Sequence, residues 1–131
     1  VGVWTMGAEP TDPAEPQPIA VTDGREIAAD AEGAALLPQG ERGGWLVVSS
    51  QGDNTYMRYA LPDMTPAGRF RIAKGAFGSA EETDGIEAMA GDFGPAFPGG
   101  LFIAQDGMNE GKAQNFKLVP LAEIEKALAT E

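Results

Sequence analysis

Residues 45–61 read WLVVSSQGDNTYMRYAL, and this stretch decides the fold. Trp45 to Ser50 is a short, almost continuously apolar run with two adjacent valines, the pattern of a buried strand. Gln51 to Asn54 (QGDN) supplies turn residues, because Gly, Asp and Asn tolerate tight backbone geometry. Thr55 to Leu61 then alternates large and polar side chains in a second strand. Two strands joined by four turn residues form the centre of an antiparallel sheet.

Further strands lie on either side. Gly33 to Leu37 is a short apolar run closed by Pro38, and Arg69 to Ala73 (RFRIA) completes a set of four. Ile86–Met89, Leu101–Ala104 and Phe116–Val119 make a second set of three, linked by glycine-rich connections. Near the start, Val1 to Met6 (VGVWTM) is strand-like. Ala8 to Pro18 holds four prolines and reads as a loop, and Ile19–Val21 is another short strand. Leu121, Ile124 and Leu128 fall on one face of a terminal helix over 121–129. Trp45, Tyr56, Tyr59, Phe70, Phe102 and Phe116 are the expected aromatic core. The scattered cations Arg58, Arg69, Lys74, Lys112 and Lys117 are expected at the solvated surface.

Each strand set spans roughly the 40-residue period of a β-propeller blade. The smallest propeller needs about four blades, or about 160 residues, more than the 131 present. The chain therefore reads either as about two blades of a propeller or as a seven-stranded sandwich.

Composition narrows the chemistry. Twenty acidic residues against nine Lys and Arg leave a net charge of −11, which excludes an electrostatic nucleic-acid binder and disfavours an anionic membrane surface. There is no Cys and no His. Thiolate and imidazole metal sites, cysteine nucleophiles and Ser-His-Asp triads are thereby excluded. No run approaches the ~20 apolar residues of a membrane-spanning helix, and residues 1–6 lack the charged start of a signal peptide. Hard oxygen ligands remain, and these suit Ca²⁺ or Mg²⁺.

Asp30 and Glu32 are two apart, so an extended backbone puts both carboxylates on one side. Two like charges held together repel unless a cation sits between them. Gln51, at the end of a strand, offers a neutral amide oxygen. Asp84-Gly85 and Asp106-Gly107 place further carboxylates where loops meet strands, with Asn109 and Asn115 nearby. The alternative for each is plain: Asp-Gly is turn chemistry, and Asp30 and Glu32 are exposed loop acids. An EF-hand over 106–117 fails, because Met108 and Lys117 occupy ligand positions. Gly52, Gly85 and Gly107 each follow one of these residues.

Five segments, DGREIAADAEG (23–33), SSQGDNTY (49–56), TDGIEAM (83–89), GLFIAQDG (100–107) and QNFKLVPLAEIEKAL (114–128), together with VGVWTMGAEP (1–10), resemble the C-terminal part of the alkaline β-propeller phytases in order and spacing. That resemblance implies an all-β fold: about two four-stranded antiparallel blades of a six-bladed β-propeller, with a short C-terminal helix. The division it implies is the end of one blade over 1–22, a blade over 23–75, a last blade over 83–120 and a helix over 121–129. It also implies calcium-dependent hydrolysis of phytate (inositol hexakisphosphate) by a longer parent protein. Asp30, Glu32 and Gln51 then match calcium ligands of the catalytic centre, and Asp84 matches a structural calcium ligand; Asp106, read from its place at the end of the strand 101–104 and not from the resemblance, is the expected co-ligand. The basic residues that clamp phosphate lie in earlier blades, so the piece is expected to be inactive alone. Its expected partners are phytate or another inositol polyphosphate, and the missing N-terminal blades or a second copy paired through open blade edges. No nucleic acid and no membrane are expected as partners, and the expected location is secreted or periplasmic. The other readings are a non-catalytic, calcium-stabilised propeller module and a metal-free sandwich with an acidic surface.

Overall fold

The computed structural model describes residues 1–13 and 15–130; Ala14, inside the expected loop, and Glu131 lie outside the described residues. Among the described residues nine strands run in chain order: β1 Gly2–Thr5, β2 Gln17–Val21, β3 Ala31–Gln39, β4 Gly43–Ser50, β5 Thr55–Leu61, β6 Thr65–Phe70, β7 Ile86–Ala90, β8 Gly100–Asp106 and β9 Asn115–Pro120. Helix α1, Leu121–Leu128, follows. The strands form three antiparallel sheets, ordered β1-β2, β3-β4-β5-β6 and β7-β8-β9.

The three sheets are stacked in series around two cores. Ala35, Leu37, Val47 and Tyr56 of the four-stranded sheet meet Ala88, Phe102 and Ala104 of the last sheet, with Ile124 of α1 in the same cluster. Tyr56, Phe70 and Phe102 form a mutual aromatic trio with ring centroids 5.1 to 5.4 Å apart. On the opposite face of the same middle sheet, Leu46, Val48, Met57 and Tyr59 pack with Ala20 and Ile27, flanked by Val3 and Ile19. This explains why β4 is apolar at consecutive positions: alternate side chains enter different cores. A two-layer sandwich would bury one face of each sheet, whereas here the middle sheet is covered on both.

Three sequence expectations need correction. The strand placed at Arg69–Ala73 is β6 at Thr65–Phe70. Pro66 and Gly68 read as turn residues, but β6 is an edge strand, where proline breaks no ladder bond. Phe116 is not core; it is 65% exposed on β9. Arg58 and Lys117 are not solvated cations but buried ones. Arg58 lies 3.9 Å over the Trp45 ring, donates to the Ala67 carbonyl and pairs with Glu125 of α1 at 2.7 Å. It thereby ties the helix to the middle sheet. The expected helix face holds: Ile124 is buried, with Leu121 and Leu128 packed beside it.

The last sheet has three strands where four per blade were expected, and β9 is its outer edge. Among the described residues, no helix is long and apolar enough to cross a membrane.

Candidate metal centre

The start of β3, the end of β4, the segment entering β7 and the end of β8 come together at one end of the molecule, and most of the candidate ligands lie there. The four-residue turn after β4 is built first. Gln51–Asp53 forms one 3-10 turn, and Asn54 follows in the left-handed region at φ 55°. Asp53 anchors it. Its carboxylate accepts from Ser50 Oγ and Thr55 Oγ1 at 2.7 Å each and from Arg69 Nη1 at 3.2 Å. Partial burial works against its charge, but these hydrogen bonds and the Arg69 charge prevail and hold its pKa below the usual carboxylate value.

That turn is fastened to the segment before β3. Gln51 N donates to the Asp30 carbonyl at 3.0 Å, and Ala28 N donates to Ser50 Oγ at 2.8 Å. Gly52 lies so close to the Ala29 carbonyl that no side chain fits between them. The next layer is residues 81–85, which lead into β7. Ser49 Oγ donates to the Thr83 carbonyl at 2.7 Å, and the Tyr56 and Thr83 hydroxyls are hydrogen-bonded at 2.8 Å. Glu82 N donates to Asn54 Oδ1, and Asp84 N to Gln105 Oε1. The segment is thus clamped from both sheets.

The result is a contact between two candidate ligands 33 positions apart: Gln51 Nε2 donates to Asp84 Oδ1 at 2.7 Å. Asp30 is held beside them by its backbone bond to Gln51, with its side chain exposed. Glu32 is also exposed and lies where the β3–β4 register breaks between Ala31 and Ala34, so strict alternation does not govern its direction. Gly33, next to it, backs directly onto the Asp84 carbonyl and the Ile86 amide, so the β3 bulge touches the Asp84 segment. Among the described residues, Asp30, Glu32 and Asp84 have no cationic partner, and no three acidic side chains converge tightly enough to hold an ion unaided.

Asp106 is committed elsewhere. It is buried, with Oδ2 paired to Lys117 Nζ at 2.8 Å and Oδ1 accepting the amides of Glu81, Met108 and Asn109. Burial opposes its charge, but the Lys117 hydrogen bond, the amides and the ammonium outweigh it and lower its pKa. The carboxylate expected as a metal co-ligand is thus paired here with a lysine.

The family model described as Phytase matches residues 1–131, the whole chain. This chain belongs to the phytase family. It is 34% identical over 132 residues to a 3-phytase from Bacillus subtilis (strain 168), an alignment that covers 96% of this chain and 35% of that relative. The chain thus spans about a third of the length of the curated relative it matches.

Within this phytase-family chain, sequence reading missed Asp53 and the Lys117–Asp106 pair. The first had a signal in Ser50-x-x-Asp53-x-Thr55, where hydroxyls flank an acid at turn spacing. The second had none, since Asp106 and Lys117 meet only once β8 and β9 pair with Asp106 opposite Asn115.

Proposed function

We propose that the protein to which this chain contributes is a calcium-dependent hydrolase of the phosphate monoesters of phytate, built as a six-bladed β-propeller in which residues 1–131 form about two blades. The family membership of the whole chain supports the reaction. The serial stacking of three sheets, with the middle one buried on both faces, supports the propeller. The observation that carries the site is the Gln51–Asp84 contact, which joins oxygen-bearing side chains of two separate sheets at one end of the molecule.

The donor set fits calcium. It consists of carboxylates and an amide oxygen, with no His or Cys in the chain. Gln51 donates its amide nitrogen to Asp84, which leaves Gln51 Oε1 and Asp84 Oδ2 without hydrogen-bond partners among the described residues. Asp30, Glu32, Gln51 and Asp84 hold Ca²⁺ in this reading, and Asp106 does not. The remaining ligands and the phosphate-clamping cations come from the rest of the parent chain, so residues 1–131 alone are inactive. Bound Ca²⁺ would neutralise and orient the phosphates and acidify an attacking water. The chain's own residues supply anchorage. Asp53 fixes the Gln51 turn, and Gln105 and Ser49 fix the Asp84 segment. A surface at −11 would otherwise repel a polyphosphate.

The parent's other blades, or failing them a second copy, cover the open β9 edge and the exposed Phe116 and Leu118 beside it. A secreted or periplasmic location goes with the family resemblance. The test is phosphate release from phytate by the full-length parent with calcium, with chelator, and with Asp84→Asn. Release that stops in chelator, returns with calcium and falls at least about tenfold in the variant is expected. Full release in chelator would refute the calcium reading, and no release under any condition would refute the substrate.

A further inference from the structure

Lys117 enters the molecule in an unusual way for a lysine. It sits on the edge strand β9, yet it is only 6% exposed, and its partner Asp106 only 1%. Its ammonium is ringed by three side-chain oxygens: Asp106 Oδ2 at 2.8 Å, Asn115 Oδ1 at 2.7 Å and Asn109 Oδ1 at 3.2 Å. An ammonium has three donors, and all three are used. One carboxylate and two amide oxygens around one positive centre is the kind of oxygen set that hard cations take.

The cage is coupled to the site. Asp106 Oδ1 accepts the Glu81 amide at 3.2 Å, and Gly107 N donates back to the Glu81 carbonyl at 2.9 Å. One residue earlier, Gln105 N donates to the Gly85 carbonyl, and Gln105 Oε1 accepts the Asp84 amide, both at 2.9 Å. The end of β8 therefore grips residues 81–85 at four points, and the innermost of its residues, Asp106, is charged and dry. A buried carboxylate keeps its charge only if a cation or several donors accompany it.

We infer that Lys117 is the resident cation of this loop: its tethered ammonium stands at Asp106 where a metal ion would otherwise be needed, and through Asp106 it positions the segment that carries Asp84. Lys117 is a positioning residue, not a ligand or a catalytic group. The order of residues 106–115 then depends on a covalently attached charge rather than on an exchangeable ion.

The test uses the full-length parent protein with Lys117→Met and with the double variant Asp106→Asn/Lys117→Met. Three readouts are compared: bound calcium by native mass spectrometry, melting temperature, and amide hydrogen exchange. The double variant is expected to bind as many calcium ions as the unaltered protein. One ion fewer would make Asp106 a metal ligand and overturn the inference. The single variant, with its carboxylate stranded, is expected to melt below the double variant or fail to fold; a single variant as stable as the double one would overturn it too. In the double variant, the amides of Glu81, Asp84 and Gly107 are expected to exchange at least about tenfold faster while those of β4 and β5 are unchanged. Uniform exchange across all of these would reduce Lys117 to a general stabiliser and sink the positioning role.

Discussion

Gly52→Ala isolates the joint between the Gln51 turn and the Asp30 segment. A methyl group built on Gly52 would sit 2.1 Å from the Ala29 carbonyl oxygen and 3.1 Å from its carbon, against a floor of about 3.0 Å for such contacts. Ala29 must therefore retreat by about 0.9 Å. It is not free to do so. The Ala28 amide is bonded to Ser50 Oγ on one side, and the Asp30 carbonyl to the Gln51 amide on the other. Overpacking costs about 1–3 kcal/mol, and straining two hydrogen bonds adds about 1 kcal/mol each at most. The expected loss is about 1–5 kcal/mol. Gly85→Ala is the control. It also follows a candidate ligand, but nothing lies within 4 Å of its added methyl and its φ is not in the left-handed region. It should stay within about 0.5 kcal/mol. Gly107→Ala, 2.7 Å from the Glu82 carbonyl, falls between them. Urea denaturation of the full-length protein reads all three through the transition midpoint at constant slope. Equal midpoints for Gly52→Ala and Gly85→Ala would refute the reasoning.

Further perturbations have defined outcomes. Asp53 and Asp106 both have folded-state pKa values depressed below the ordinary 3.8. Their stabilisation is complete above that value and is lost as pH falls through the lower, folded values. Melting temperature should thus drop below about pH 4, less steeply in Asp53→Asn, and an identical acid slope in that variant would argue against it. Arg58→Ala should cost about 2–4 kcal/mol through lost stacking on Trp45 and an orphaned Ala67 carbonyl. Glu125→Gln, whose side chain is half exposed, should cost less than about 1 kcal/mol, and chemical denaturation separates the two.

Most of the strand inventory was legible because apolar runs and turn residues alternate cleanly from Gly33 to Val119. The miss at β6 has a physical source: Pro66 and Gly68 carry turn propensity locally, and only the sheet order makes this strand an edge that tolerates them. The burial of Arg58 and Lys117 was illegible for a different reason. Residue type argues for the surface, while an aromatic face and an oxygen cage, both assembled by tertiary contacts, decide otherwise. Of the candidate site, Asp-x-Glu at 30–32 and the Gln51 turn were visible as residue patterns. The meeting of Gln51 with Asp84 was not, because it depends on how residues 81–85 dock across Ser49, Tyr56 and Gln105.

The double-sided burial of β4 has a consequence for how its alignment is specified. In a strand with one greasy face, slipping by a single residue drives the wrong side chains into water. In β4 it would merely exchange Leu46 and Val48 with Trp45 and Val47, apolar for apolar. Hydrophobicity therefore does little to hold the strand in place, and its two ends must. At one end Gly44, at φ 119°, nests against the Leu37 carbonyl in a space no other residue could share. At the other, Ser49 and Ser50 reach in opposite directions to single backbone partners at Thr83 and Ala28. The oily middle supplies the adhesion, and a glycine and two hydroxyls set the alignment.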